Sequence, residues 1–325
     1  MKKILLITVI VLVVSIIGLL SFVSLAMPNV GEPDELKITV TPQMLERGKY
    51  LVENVSACLD CHSKRDYSKW GAPIIEKTKG GGGEAWTEEM GLPGNIYSRN
   101  ITPFALGDWT DGEIFRAITT GESKDGSALF PLMPYHNYGT ADKEDVLSII
   151  AYLRTIPSNK NVPPKTELNF PMNFIVNLIP QKAHFQKRPD ESNKVEYGKY
   201  LVKMSSCADC HTPMEKGDPI EGKEFAGGME FPFPDGSKVH SANITPDKET
   251  GIGNFTEDQF VSLFKIYADS NYVIRDLKKD EVNTMMPWLV YSKMKESDLR
   301  AIYSYLRTLK PIENKIKIFE KKKES

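Results

Sequence analysis

The sequence predicts an all-α chain: a tandem pair of helical domains with long loops, set behind an N-terminal transmembrane helix. Three observations predict it. The chain opens on an uncharged apolar run, several short segments recur in order at an offset of about 150 residues, and helical periodicity appears at the same place in each copy. At 325 residues, with 41% apolar and 26% charged side chains, the chain is long enough to bury two cores.

Lys2 and Lys3 precede the apolar run, which extends from Ile4 to Met27. As a helix it reaches about 36 Å, against a hydrocarbon core of about 30 Å. Positive charge ahead of such a run keeps the N-terminus in the cytoplasm, so the chain that follows is exported. Residues 1–29 are therefore read as a signal-anchor and 30–41 as a linker. The competing reading is a cleaved signal peptide, for which Ser24 and Ala26 supply small residues. The run is longer than the usual signal core, which favours retention. The net charge of -2 argues against nucleic acid, since neutralising many phosphates needs an excess of Lys and Arg.

The repeat organises the rest. GKYLV at 48–52 meets GKYLV at 198–202, NITP at 100–103 meets NITP at 243–246, LMPY at 132–135 meets MMPW at 285–288, and YLRT at 152–155 meets YLRT at 305–308. Two copies of this length make a duplication of whole domains, here 42–158 and 191–325, the second with a basic tail; a solenoid needs more and shorter units. In the last helix of each copy Val146, Ile149, Ile150 and Leu153, and Leu299, Ile302, Tyr303 and Leu306, form one apolar stripe. Thr110 with Glu113, and Thr256 with Gln259, are capping boxes that start a middle helix. The Gly- and Pro-rich stretches between show no alternation that would predict a sheet. Residues 159–190, with Pro163, Pro164, Pro171, Pro180 and Pro189, read as a linker. Its apolar PMNFIVNLIP is too short to span a bilayer and is expected to pack between the domains.

The four cysteines fall in the repeat as CLDCH, residues 58–62, and CADCH, residues 207–211. In an exported chain four cysteines also suit two disulfides, but their spacing points elsewhere. A haem is attached when two thiols add to its vinyl groups; CxxC sets both sulfurs on one side of a tight turn, and the next His meets the iron. Cys58, Cys61 and His62, and Cys207, Cys210 and His211, meet that requirement twice and predict two covalently bound haem c groups. A thioredoxin-like pair does not need the His, and a zinc site gathers four ligands.

The open side of each iron is assigned to Met133 and Met286, each followed by Pro and an aromatic at the same point of the repeat. A thioether is a soft neutral ligand that raises the potential. The alternative is that both methionines are core fillers, and Met285 competes with Met286. His136, His184 and His240 have no His counterpart in the other copy and are read as surface or hydrogen-bonded residues.

Through GKYLVxxxxxCxxCH, NITP with TGIGNFTEDQF in copy two, MP plus an aromatic, and the closing YLRT, the chain resembles the membrane-anchored dihaem members of the class I cytochrome c superfamily. It is similar to the cytochrome c subunits of periplasmic alcohol and gluconate dehydrogenases. The resemblance implies three core helices around each haem, with Gly48 meeting Tyr152 and Gly198 meeting Tyr305 where the first and last helices cross. It also implies that Asn100 and Asn243 lie at the haem edge as cofactor-binding residues, although as turn formers they would look the same. Such subunits often carry three haems where this chain has two CxxCH motifs, and FALGDWTDGEIF replaces TGIG in copy one.

The expected function is electron transfer through two saturated haems, between a periplasmic dehydrogenase or other donor and a respiratory-chain acceptor, on the outer side of the cytoplasmic membrane. No catalytic residue is assigned. The alternative is a dihaem redox enzyme of peroxidase or thiosulfate-oxidising type with one open or differently ligated iron; a Cys-ligated iron would need a fifth cysteine.

Overall fold

The structure, a computed structural model, describes residues 1–215, 217–233, 235–279 and 281–321. The end of the basic tail, from residue 322, lies outside the described residues. The chain opens on α1 (Lys2–Ala26), a 25-residue helix long and apolar enough to cross a membrane.

The first half then contains α2 (Pro42–Tyr50), α3 (Cys58–Cys61), α4 (Pro103–Leu106), α5 (Asp111–Thr120), α6 (Tyr135–Tyr138) and α7 (Lys143–Leu153). After a short α8 (Met172–Ile175), the second half contains α9 (Lys194–Met204), α10 (Cys207–His211), α11 (Glu257–Lys265), α12 (Trp288–Tyr291) and α13 (Glu296–Leu306). Local chemistry sets their starts. Thr41 caps α2 by accepting from the Met44 N–H, with Pro42 in the first turn. Both capping boxes form: Thr110 with Glu113 opens α5, and Thr256 with Gln259 opens α11. Unlike α9, which is α-helical to Met204, α2 continues through a π-helical turn, Leu51–Val55.

In each half the first helix crosses the last. Val146, Ile149, Ile150 and Leu153 are buried in that crossing, as are Leu299, Ile302 and Leu306. The glycines permit it: Gly48 meets Tyr152 as expected, whereas the nearest atoms to Gly198 belong to Ala301 and Ile302 and not to Tyr305. A Cβ on Gly48 would stand 1.9 Å from the Ser148 carbonyl oxygen and 2.9 Å from Tyr152 Cβ, and one on Gly198 would stand 1.9 Å from the Ala301 oxygen. The backbones touch one turn before the aromatic, so the carbonyl, more than the ring, excludes a side chain.

The all-α expectation also needs correction. Among the described residues three small sheets fold from the loops: β1 (Ala85–Trp86), β2 (Gly94–Tyr97) and β3 (Glu167–Leu168); β4 (Met214–Glu215) and β5 (Asp218–Pro219); and β6 (Glu230–Pro232), β7 (Lys238–His240) and β8 (Phe319–Glu320), all paired antiparallel. Strands of two to four residues are too short to show a period of two in the sequence. In both three-stranded sheets the last strand is supplied by the chain leaving the last helix of that half.

Helices of the two halves share one apolar core. Tyr50 donates to Asp298 Oδ2 at 2.7 Å, and Tyr200 donates to Asp145 Oδ2 at 2.7 Å. The linker does not pack between the halves as expected. Gln181, His184 and Gln186 donate backbone N–H groups to the carbonyls of Thr120, Gly139 and Ala141. β3 holds the other end against β2, so the segment is strapped to the outside of the first half. There α8 and the turn Val176–Leu178 lie against α1, whose Val23 is buried.

Candidate haem-attachment sites

Each cysteine motif forms a single helical turn entered through a left-handed residue, Ala57 at φ 50° and Ser206 at φ 53°. For a residue with a Cβ this conformation costs about 1–2 kcal/mol, and both halves adopt it at the position before the first cysteine. It breaks the preceding helix sharply, so the CxxC turn starts in a new direction.

Both histidines are oriented by the backbone. His62 Nδ1 lies 2.6 Å from the Arg99 carbonyl oxygen and His211 Nδ1 lies 2.7 Å from that of Ala242. Donating through Nδ1 places the proton there and leaves the Nε2 lone pair for a metal. Burial lowers the pKa of both imidazoles, favouring the neutral form a ligand requires. The carbonyls are held by glycines whose role the sequence did not reveal. Gly82 and Gly227, at φ +67° and +70°, accept no Cβ: it would lie 2.5 Å from the Arg99 carbonyl carbon or 2.4 Å from that of Ala242. Their N–H groups donate to the carbonyls of His62 and His211 at 2.8 and 2.7 Å. The signal was present as a Gly-Gly pair ahead of both NITP segments, Gly82-Gly83 before Asn100 and Gly227-Gly228 before Asn243.

Asn100 and Asn243 are buried and act within the protein. Asn100 donates both amide hydrogens, to the carbonyls of Asn159 and Asn161, and accepts from the N–H and hydroxyl of Thr102. Asn243 donates to Thr250 Oγ1 and the Ile312 carbonyl and accepts from Thr245 in the same way. Their amides are fully committed, which removes the expected direct hydrogen bond to the haem edge. Each instead follows the residue whose carbonyl holds a histidine, and so fixes that carbonyl.

None of the thiols carries the lowered pKa of a thioredoxin-type cysteine: desolvation by the surrounding protein pushes all four up to about 12, including Cys61 and Cys210, whose side chains reach the surface. All four are free of disulfides. Among the described residues no three His, Cys, Asp or Glu side chains gather as a zinc ligand set. Two thiols beside an imidazole that presents Nε2 fit a covalently held haem in each half.

Met133 and Met286 occupy matching loops, each with its carbonyl accepting from the N–H two residues on at 2.8 Å. Both border the helical core that Cys58 and Cys207 also border. Met285 packs instead into a small separate cluster with Phe233, Val239 and Val282, which places it with the sheet. Five residues beyond each methionine stands a tyrosine unremarked in the sequence: Tyr138 donates to the Ser56 carbonyl at 3.3 Å, and Tyr291 to that of Ser205 at 2.8 Å. Each ties its methionine loop to the segment just before a CxxCH turn.

The remaining histidines are engaged or exposed. His136 Nε2 lies 3.3 Å from Asp209 Oδ1, and Asn137 donates to Asp209 Oδ2 at 3.0 Å, so the first half's methionine loop reaches the second half's CADCH turn. His184 is exposed, and His240 Nε2 lies 3.5 Å from Glu230 Oε2.

Residues 195–310 match the family model described as cytochrome c. Over 277 residues the chain is 28% identical to the fructose dehydrogenase cytochrome subunit of Gluconobacter japonicus, covering 82% of this chain and 52% of that protein. It is 26% identical to the gluconate 2-dehydrogenase cytochrome c subunit of Pantoea cypripedii, covering 90% and 64%. With a diheme cytochrome c-type protein of Cereibacter sphaeroides it shares 27% identity over 79% of this chain and 83% of the other. The chain thus spans between half and two thirds of the length of the two dehydrogenase subunits.

Proposed function

We propose, from the premise that residues 195–310 form a cytochrome c domain of the kind that binds haem c covalently, that the whole chain is a two-haem electron carrier anchored by α1. The observation that carries the reading is the repetition of one donor set. In both halves two thiols, a histidine held through Nδ1 by a backbone carbonyl, and a methionine loop tied by a tyrosine stand in the same order. On this reading 42–158 and 191–325 are tandem cytochrome c domains, with Cys58, Cys61, Cys207 and Cys210 as attachment points. His62 and His211 are the proximal ligands, and Met133 and Met286 the distal ones.

The haem, when bound, supplies the one-electron couple; the protein supplies orientation and a tuned potential. Its own residues attach the group at two points, hold a neutral imidazole at a fixed angle and close the far side with a thioether. Were His62 with Met133 and His211 with Met286 to hold the iron in this way, no position would be left for a substrate, and the bound group would serve electron transfer alone. The relatives named as dehydrogenase cytochrome subunits support a dehydrogenase as donor, and a membrane position suits a respiratory-chain acceptor. The domains then lie on the periplasmic side.

The test is optical and paramagnetic spectroscopy of the ferric protein with Met133→Leu and Met286→Leu. Two low-spin haems, each losing its far-red sulfur-to-iron band with its own methionine, are expected. A native high-spin haem that binds cyanide or peroxide rapidly overturns the reading in favour of a redox enzyme.

A further inference from the structure

The chain between the two halves carries apolar side chains that the body of the protein leaves uncovered. Phe170, Ile175 and Leu178 are 75%, 41% and 52% exposed. They are not on a loose loop. β3 pairs Glu167 and Leu168 with Asn95 and Gly94, Asn169 donates its N–H to the Pro93 carbonyl, and beyond Pro180 the three backbone bonds to Thr120, Gly139 and Ala141 fix the return. Phe170 and Phe174 pack edge to face, their ring centroids 6.1 Å apart. A rigid apolar projection is held out from the first half at fixed orientation.

Its location says what covers it. α8 and the turn Val176–Leu178 touch α1, whose Val23 is buried near its C-terminal end. A helix crossing the bilayer with its N-terminus inside brings that end to the outer membrane surface. Side chains beside it therefore stand at the level of the headgroups. The charges flanking the projection agree. Lys160, Lys165, Lys182 and Lys187 are exposed, and none forms an ion pair among the described residues, while Glu167 is the one carboxylate between Lys160 and Lys187. Apolar residues flanked by unpaired lysines are what an interfacial segment presents to an anionic lipid surface.

We propose that residues 170–179 form a second membrane contact, inserted shallowly among anionic lipid headgroups beside α1. The proposal rests on the reading of α1 as a retained anchor. Two attachments, one spanning and one interfacial, fix the tilt of the first half over the membrane.

The test uses the full haem-bearing chain, its native cysteines held as thioethers, with one nitroxide at Ile175→Cys or at Leu12→Cys. Each is reconstituted in vesicles of phosphatidylethanolamine and phosphatidylglycerol, and collision with oxygen is compared with collision with a water-soluble nickel chelate. The expected result is a label at Ile175 that meets oxygen several-fold more readily than the chelate, at a depth shallower than Leu12. A label at Ile175 open to the chelate while Leu12 reports lipid overturns the proposal and spares the anchor. Shielding of Ile175 from both reagents also overturns it, marking a protein surface there, whether a second copy or a partner. If Leu12 itself reports water, the anchor reading falls and takes the proposal with it.

Discussion

Tyr50 donates its hydroxyl hydrogen to Asp298 Oδ2 at 2.7 Å, joining residues 248 positions apart and lying in different halves. Lys295 donates its N–H to the same tyrosine oxygen at 3.0 Å, so the hydroxyl is used in both directions. Because Asp298 is buried, a hydrogen bond to its carboxylate contributes about 1.5–3 kcal/mol. Tyr50→Phe is expected to lose stability in that range in urea unfolding of the haem-bearing protein. The two halves are expected to unfold in one transition before and after the change, since the shared apolar core and the Tyr200–Asp145 bond still join them; two resolved transitions would show that the halves are independent.

Asp145 has more at stake. Arg47 grips it with two hydrogen bonds of 3.0 and 2.7 Å, Arg188 adds one of 2.7 Å and Tyr200 another of 2.7 Å, with the carboxylate side chain only 2% exposed. Burial alone would raise its pKa, but Arg47, Tyr200 and Arg188 together hold it below the ordinary carboxylate value. A pKa lower in the folded state than in the unfolded one stabilises above the unfolded value and is lost as pH falls through the folded value. Thermal melts should therefore fall off on acidification below about pH 4. Asp145→Asn should flatten that limb and cost about 3–5 kcal/mol at neutral pH, because two guanidinium groups lose their partner. An unchanged acid limb in the variant would assign the acid loss to other carboxylates.

Gly82→Ala and Gly227→Ala address each histidine separately. The added Cβ forces the carbonyl of Arg99 or Ala242 away from the imidazole it holds, on top of about 1–2 kcal/mol for the left-handed backbone. The expected outcome is a shifted potential and altered low-spin signals for the haem of the substituted half, the other remaining as in the parent. Equal shifts in both haems would mean that the glycines act through the whole fold.

Gly48→Ala is a test of packing. A Cβ 1.9 Å from the Ser148 oxygen cannot be accommodated without separating α2 from α7, and overpacking of this kind costs about 1–3 kcal/mol or more. Gly198→Ala should cost as much through Ala301. A melting temperature within a degree of the parent would contradict the close approach.

Cys58, Cys61, His62 and their second copies were legible because the chemistry is local, and so were α5, α7, α11 and α13, whose caps and stripes are properties of one stretch of chain. Asn100 and Asn243 were legible as residues but not in their use, since the identity of their partners, from Thr102 to Ile312, depends on how loops return. β1 to β8 were invisible because two to four residues carry no period. The resting place of Phe170 and Ile175 could not be read at all. Their apolarity announces burial against something, and only the backbone bonds at Thr120, Gly139 and Ala141 select the outside of the first half.

Tyr50 reaching Asp298 while Tyr200 reaches Asp145 is the arrangement of an isologous interface, one patch presented twice and turned upon itself. The two halves meet as the protomers of a two-fold dimer would, and the segment between them gives each half a permanently high effective concentration of the other. The two halves nonetheless differ where they meet. Asp60, beside its own Arg65 at 3.6 Å, and Asp209, held by Asn137 of the other copy, mark where the symmetry has been given up.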